Sequence, residues 1–152
     1  MKKYKSGVTV VSVLIIVVVL AILSSAIVIS SKLITDYTYK KEFKNEYYLV
    51  KSAVNDYIMR NSGVIDFEET QIDLTNVTSN NLSQFNGETI VSNKIDAYVI
   101  DLDKVGVYNT TYGNKLDSNT NDVYVVTKDK HTVYYKKGFS SNNSVYYKAI
   151  ED

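Results

Sequence analysis

Oxygen-bearing side chains are densest at Asp117-Ser118-Asn119-Thr120-Asn121-Asp122, where potential ligands alternate along the chain. Asp117, Asn119, Asn121 and Asp122 resemble the first half of a calcium loop. The central Gly and the distal Glu of such a loop are missing, and Asn/Asp clusters between strands are mostly turns. His131 is the sole histidine, with Asp129 close by and no second ligand in sequence. Without Cys, neither a disulfide framework nor a thiolate zinc site can form. No Gly-x-Ser-x-Gly elbow or phosphate loop occurs. The expectation is therefore a protein that is not an enzyme and carries no cofactor. The 17 basic and 17 acidic residues cancel, which argues against binding nucleic acid through phosphate neutralisation.

A second kind of chemistry lies at the N-terminus. Met1-Lys2-Lys3-Tyr4-Lys5-Ser6-Gly7 is short and basic, and the residues from Val8 to Ile29 carry no charge. At 1.5 Å per residue this run makes roughly 33 Å of helix, enough for a hydrocarbon layer of about 30 Å. Val and Ile are mediocre helix formers in water. In lipid, helix is the one single-segment solution that satisfies every backbone donor. A secretory signal would have a shorter apolar core and a small-residue cleavage site. Ser24-Ser25-Ala26 offers such a site, but the apolar run before it is overlong and continues beyond it.

The pattern then changes instead of stopping. Phe43, Tyr47, Val50, Val54, Tyr57 and Ile58 recur at three- and four-residue steps, an amphipathic stripe. Asp36–Lys40 and Asp56–Arg60 are i,i+4 pairs of favourable order. Residues 8–62 contain neither Gly nor Pro, and Gly63 reads as the stop. One continuous helix is expected, apolar all round in its first half and on one side in its second. Residues 64–93 carry only short apolar islands and read as a linker with one or two weak strands or a short helix.

From Ala97 onward the signals are those of strands: 97–102, 122–128, 132–137 and 145–148, rich in Val and Tyr. Lys128-Asp129-Lys130-His131 makes the turn of a hairpin, and Gly138 with the following Ser and Asn residues makes a looser one. Connections this short imply an antiparallel meander, with one face packed on the amphipathic half of the helix. The Tyr stripe reads as sheet packing, with solvent-facing members available to neighbouring subunits. The N-x-S/T tripeptides at Asn76, Asn81, Asn109 and Asn142 are expected by chance in so Asn-rich a chain.

Lys2, Lys3, Lys5, Ser6 and Gly7 followed by VTVVSVLIIVVVLAIL resemble the class III leader of type IV prepilins and pseudopilins. The stretch YVIDLDKVGV…TYG…NDVYVVTKDKHTVYYKKG is similar to the C-terminal part of pilin-like proteins from Gram-positive bacteria, where a Tyr-rich hairpin follows a Leu-Gly or Val-Gly turn. The resemblance implies cleavage by a membrane-embedded prepilin peptidase directly after Gly7 and methylation of the new N-terminus at Val8. It also implies that the retained apolar helix packs against other pilin-like subunits in a filament core. Two departures stand out. Ser12 occupies the position where the family has a Glu that pairs with a neighbouring subunit's N-terminal amine. A carboxylate in lipid is costly enough to drive docking, so its absence points to a minor pilin or pseudopilin. Val8 replaces the family's usual aromatic.

The expected fold is α+β and pilin-like: a long N-terminal helix, transmembrane and then amphipathic, packed on a small antiparallel sheet. The expected segments are a leader (1–7), a transmembrane assembly helix (8–30), its amphipathic continuation (31–62) and an extracytoplasmic β-rich head (63–152). Lysines flank both sides of the apolar run, so charge alone leaves orientation tied. The leader resemblance puts the N-terminus in the cytoplasm and the head outside, with a single pass through the cell membrane and a cell-surface filament after assembly. The function this implies is a structural subunit of a type IV pilus or type II secretion-like filament, serving secretion, DNA uptake, adhesion or motility. The alternative is an unprocessed, single-pass membrane-anchored sensory or regulatory ectodomain; a module secreted after Ala26 is a weaker third.

If residues 117–122 hold calcium, thermal melts recorded with calcium and with chelator separate; coincident curves dispose of the calcium loop.

Overall fold

The computed structural model describes residues 5–114 and 120–149, with side chains described for 13–21, 34–114 and 120–149. Contacts divide the chain into two compact units, Met1–Tyr39 and Lys40–Asp152. Helix α1 runs over Lys5–Arg60. It is followed by β1 (Glu68–Asp73), the short helix α2 (Ser79–Leu82), a 3-10 turn (Ser83–Phe85) and β2 (Lys94–Val99). The chain ends with β3 (Tyr124–Thr127), β4 (Val133–Tyr135), β5 (Phe139–Ser141) and β6 (Ser144–Tyr146). The fold is α+β, a helix packed on an antiparallel sheet.

The helix ends as its sequence demands, one residue earlier than the glycine suggests. Gly63 N–H donates to the Ile58 carbonyl (2.8 Å) and Ser62 N–H to the Met59 carbonyl (3.4 Å). These are the two bonds of a Schellman motif, which puts the left-handed residue at Ser62 (φ 55). Gly63 follows with φ 84, where a side chain would be strained. Near this end Arg60 turns its Nε onto the Asp56 carbonyl oxygen at 3.3 Å, bonding the backbone of its expected ion-pair partner.

Four strands form one antiparallel sheet in the order β1-β2-β3-β4. Side chains alternate across it with period two. Tyr124, Val126, Val133 and Tyr135 join a core with Phe43, Tyr47, Val50 and Val54 of the helix, all eight buried. The helical stripe thus covers one face, as its spacing requires. Val123, Val125 and Tyr134 point the other way, into a second core with Ile72, Leu74, Phe85, Ile95, Ala97 and Val99. This second cover was not legible in advance. The Phe85 ring stacks on Tyr134 at 4.8 Å between centroids, so the 3-10 turn roofs the face expected to meet solvent. Covering both faces explains why every residue of β3 is buried.

The weak strand and short helix expected within 64–93 are both present, as β1 and α2, and β1 pairs with β2 from Glu68↔Val99 to Asp73↔Lys94. Glu68-Glu69-Thr70-Gln71-Ile72-Asp73 hides its strand character because an edge strand keeps charged side chains in water. The pairing also starts β2 at Lys94, ahead of Ala97. The last strand segment, in turn, leaves the meander. β5 and β6 form their own two-stranded sheet. Gly138 has φ 75, and a Cβ there would overlap the Val145 side chain, so only glycine lets the chain double back so closely. Asn142 and Asn143 both have positive φ (49 and 61), the requirement of a two-residue type I′ turn, so the connection is tight and not loose.

This hairpin is tied back by one amide. Buried Gln84 donates from Nε2 to the Val145 carbonyl (2.7 Å) and accepts from Tyr147 N–H at Oε1 (2.8 Å). Its side chain stands in for a strand's main chain. The Tyr147 carbonyl then accepts from Tyr135 N–H at 2.7 Å, closing the outer edge of β4 at that point.

Buried tyrosines are all partnered at their hydroxyls. Tyr47 donates to the Val133 carbonyl (2.9 Å), Tyr124 to Glu46 (3.0 Å), Tyr134 to Glu88 (3.1 Å) and Tyr135 to Asp122 (2.7 Å). Burial comes first in raising all four phenol pKa values well above 10; neighbouring carboxylates add to the rise for Tyr124, Tyr134 and Tyr135. A raised folded-state pKa means the folded form holds its proton longer than the unfolded form. The stabilisation is complete below the unfolded value near 10 and is lost as pH rises through the folded values. In an alkaline titration followed by tyrosinate absorbance, these four tyrosines should ionise only with cooperative unfolding. A single smooth ionisation of all tyrosines, with the fold retained, would contradict this.

Candidate functional site on the long helix

Within the first unit, Val13, Leu14, Ile15, Ile16, Val17, Val18, Val19 and Leu20 are each between 46% and 62% exposed. Eight successive residues cover the whole circumference of a helix, at 3.6 per turn. A helix that is apolar on all sides needs cover from lipid or from other helices. Among the described residues no helix is long and apolar enough to cross a membrane. Of the expected span over 8–30, the side chains of 8–12 and 22–30 lie outside the description.

The leader residues fare similarly. Lys2 and Lys3 lie outside the described residues. Lys5, Gly7, Val8 and Ser12 fall within α1, but their side chains lie outside the description. In the candidate calcium loop, Asp117 and Asn119 are outside the described residues. Asn121 is exposed. Asp122 accepts from Gly113 N–H (3.2 Å) and from the Tyr135 hydroxyl (2.7 Å) through Oδ1, which gives that oxygen a structural task. Among the described residues no three His, Cys, Asp or Glu side chains converge on a metal position. His131 sits exposed in the β3–β4 turn with φ 54.

Within the second unit, the helix does more than supply apolar cover. Glu46 Oε2 accepts from Thr111 N–H at 2.7 Å, and Oε1 accepts from Tyr112 N–H and from the Tyr124 hydroxyl, both at 3.0 Å. One turn earlier, Glu42 Oε1 accepts from the Thr111 hydroxyl at 3.1 Å. Two carboxylates four residues apart lie on one helix face and clamp the 110–112 segment of the long β2–β3 connection. Bonds from N–H to an ionised carboxylate are short and strong, and here they replace the sheet partners this segment lacks. The Gly113 backbone comes so close that a Cβ would overlap the Tyr124 ring.

The Val105-Gly106 turn precedes this clamp. Gly106 has φ 78, and Val107 N–H returns to the Leu102 carbonyl at 2.8 Å. Leu102, Val105 and Val107 enter the helix-side core. Asp101 Oδ1 accepts from the N–H groups of Asp103 and Lys104, both at 3.1 Å, fixing the start of the turn.

Glu42 and Glu46 escaped the sequence reading, although a signal was there. Glu46 lies three residues after Phe43 and four before Val50, a carboxylate set inside an apolar stripe. Such a residue either interrupts the stripe or has partners waiting. The chain matches no family model, no curated protein sequence and no solved structure.

Glu46→Ala strands two backbone donors and a phenol, a loss on the order of 2–3 kcal/mol. Glu46→Gln keeps one acceptor and should lose less. Urea melts of the two variants check this order, and equal stabilities for wild type and Glu46→Ala would refute the clamp.

Proposed function

We propose that the chain is a structural subunit, a minor pilin or pseudopilin, of a type IV pilus or type II secretion-like filament. The observation that carries this reading is the helix exposed and apolar on every side from Val13 to Leu20. It belongs to the same helix whose Phe43–Val54 stripe serves as the cover of a β-rich head. A subunit of this kind holds its apolar helix in the membrane until it assembles, then exchanges lipid for the helices of its neighbours. That exchange needs no burial of new polar groups, so helix packing between subunits can drive it.

Lys2, Lys3, Lys5 and Gly7 support processing by a prepilin peptidase, with Val8 as the new, methylated terminus. Cutting there leaves the apolar segment whole. Ser12 supports a minor rather than a repeating subunit, because it cannot make the ionic contact expected of a Glu at that position. In this reading the N-terminus is cytoplasmic before cleavage and the head lies outside the membrane. The partners are the peptidase and other pilin-like subunits.

Mass spectrometry of the protein isolated from its own cells tests the reading. The expected N-terminus is Val8, heavier by one methyl group. An intact Met1 start would replace the filament subunit with a permanently anchored ectodomain, and a start at Ile27 would replace it with a secreted module.

A further inference from the structure

The two edges of the four-stranded sheet are finished differently. On β4 the outward groups are occupied. Tyr135 N–H donates to the Tyr147 carbonyl, the Tyr135 carbonyl accepts from Gly138 N–H, and the Val133 carbonyl accepts from the Tyr47 hydroxyl. On β1 they are open. Leu74 N–H donates to the Asn93 carbonyl, so by alternation Thr70 and Ile72 bond to β2, and the main-chain groups of Glu69, Gln71 and Asp73 face away. These groups have no partner among the described residues. Edges are blunted by Pro, by bulges, by short length or by charges standing in the way. β1 has six residues, no Pro and an unbroken register. Its outward side chains are drawn aside. Glu69 meets Lys128 Nζ (2.8 Å), Gln71 Nε2 donates to Asp96 Oδ1 (2.7 Å), and Asp73 Oδ1 accepts from Thr75 N–H (2.9 Å).

We propose that β1 binds an extended basic segment of a partner protein as an added strand. Main-chain bonds to Glu69, Gln71 and Asp73 hold such a strand, and side-chain pockets select it. β1 carries Glu68, Glu69 and Asp73 and no basic residue. Beside it lies a cleft of about 400 Å³, lined by Gln71, Glu88, Asp96 and Asp129 together with Lys94 and Lys128. Lys128 is occupied by Glu69. Glu88 Oε2 is shut off from solvent and has no hydrogen-bond partner among the described residues. A residue opposite Gln71 on an added strand shares the face of its side chain and reaches this cleft. A Lys or Arg there meets three carboxylates. A second copy of β1 is a poor occupant, because antiparallel pairing about Gln71 sets Glu69 against Asp73 of the other copy at both ends. Residues 64–99 and 124–131, which build the edge and the cleft, are all described. The inference concerns the second unit alone and stands whether or not the chain enters a filament.

The test uses the full chain in a non-ionic detergent. The probe is a capped, fluorescent octapeptide alternating Lys and Thr, followed by anisotropy at low salt. It should bind, and a Glu–Thr octapeptide should not. Methylating the Lys backbone nitrogens keeps the charge and should weaken binding at least about tenfold, the scale of one lost hydrogen bond. Methylating the Thr nitrogens, which face away, should cost far less. Asp129→Asn should weaken binding about fivefold, the scale of one exposed ion pair, and Asp103→Asn, an exposed carboxylate elsewhere, should change nothing. No binding of the Lys peptide, equal binding of the Glu peptide, or indifference to methylation of the Lys nitrogens overturns the proposal. Equal weakening by Asp103→Asn overturns the role of the cleft. A capped peptide of Glu68–Asp73 that binds as tightly as the basic one puts a second copy on the edge and overturns the basic partner. Melting temperatures matching wild type confirm that the variants are folded.

Discussion

Phe43, Tyr47, Val50 and Val54 meet the inner face of the four-stranded sheet, and the head depends on that contact. A small domain without Cys has no disulfide to hold it and leans on packing. The sheet's helix-side residues (Tyr124, Val126, Val133 and Tyr135) come from two neighbouring strands and would form a bare apolar patch without the helix. The same helix brings Glu42 and Glu46 to the longest connection in the sheet, so one element supplies both the apolar cover and the polar anchor. The two are joined: the clamp needs the helix docked, and the docked core includes Leu102, Val105 and Val107 of the β2–β3 connection.

Tyrosine is what lets this head be built without tryptophan or disulfides. Each buried ring contributes large apolar area, and each hydroxyl needs a partner once dry. The partners come from different places: a carbonyl of β4, a carboxylate on α1, one after the 3-10 turn and one before β3. The hydroxyls of Tyr47, Tyr124 and Tyr134 therefore cross-link elements that share no backbone ladder, while Tyr135 to Asp122 reinforces the end of the β3–β4 pairing. A Phe in any of these places would keep the packing and leave a carboxylate or carbonyl with less to bind.

What could be read from the residues was what is periodic. The stripe on α1 shows in its three- and four-residue spacing, and the Val/Tyr strands show in their alternation. β1 showed only as a weak strand without fixed bounds, because it is an edge strand whose composition answers to water more than to the sheet. The departure of the last hairpin depended on φ at Gly138, Asn142 and Asn143, a choice that composition permits without announcing. Phe85 gave no periodic signal, since a single aromatic in a polar stretch has no pattern to belong to. Of the candidate site, the apolar run was plain, while the Glu46 clamp depends on backbone donors more than sixty residues away.

The bond from Tyr47 to the Val133 carbonyl joins residues 86 apart, and it has a consequence in time. Synthesis proceeds at about 5–20 residues per second, so roughly 4–17 s separate the two ends of that contact. Throughout that interval the docking face of the helix has been made and its covering strands have not. Local helix forms in microseconds, but the non-local pairing must await the chain. The nascent protein thus presents two sticky helical surfaces in succession, one apolar all round and one striped. The second is relieved by the protein's own later sequence.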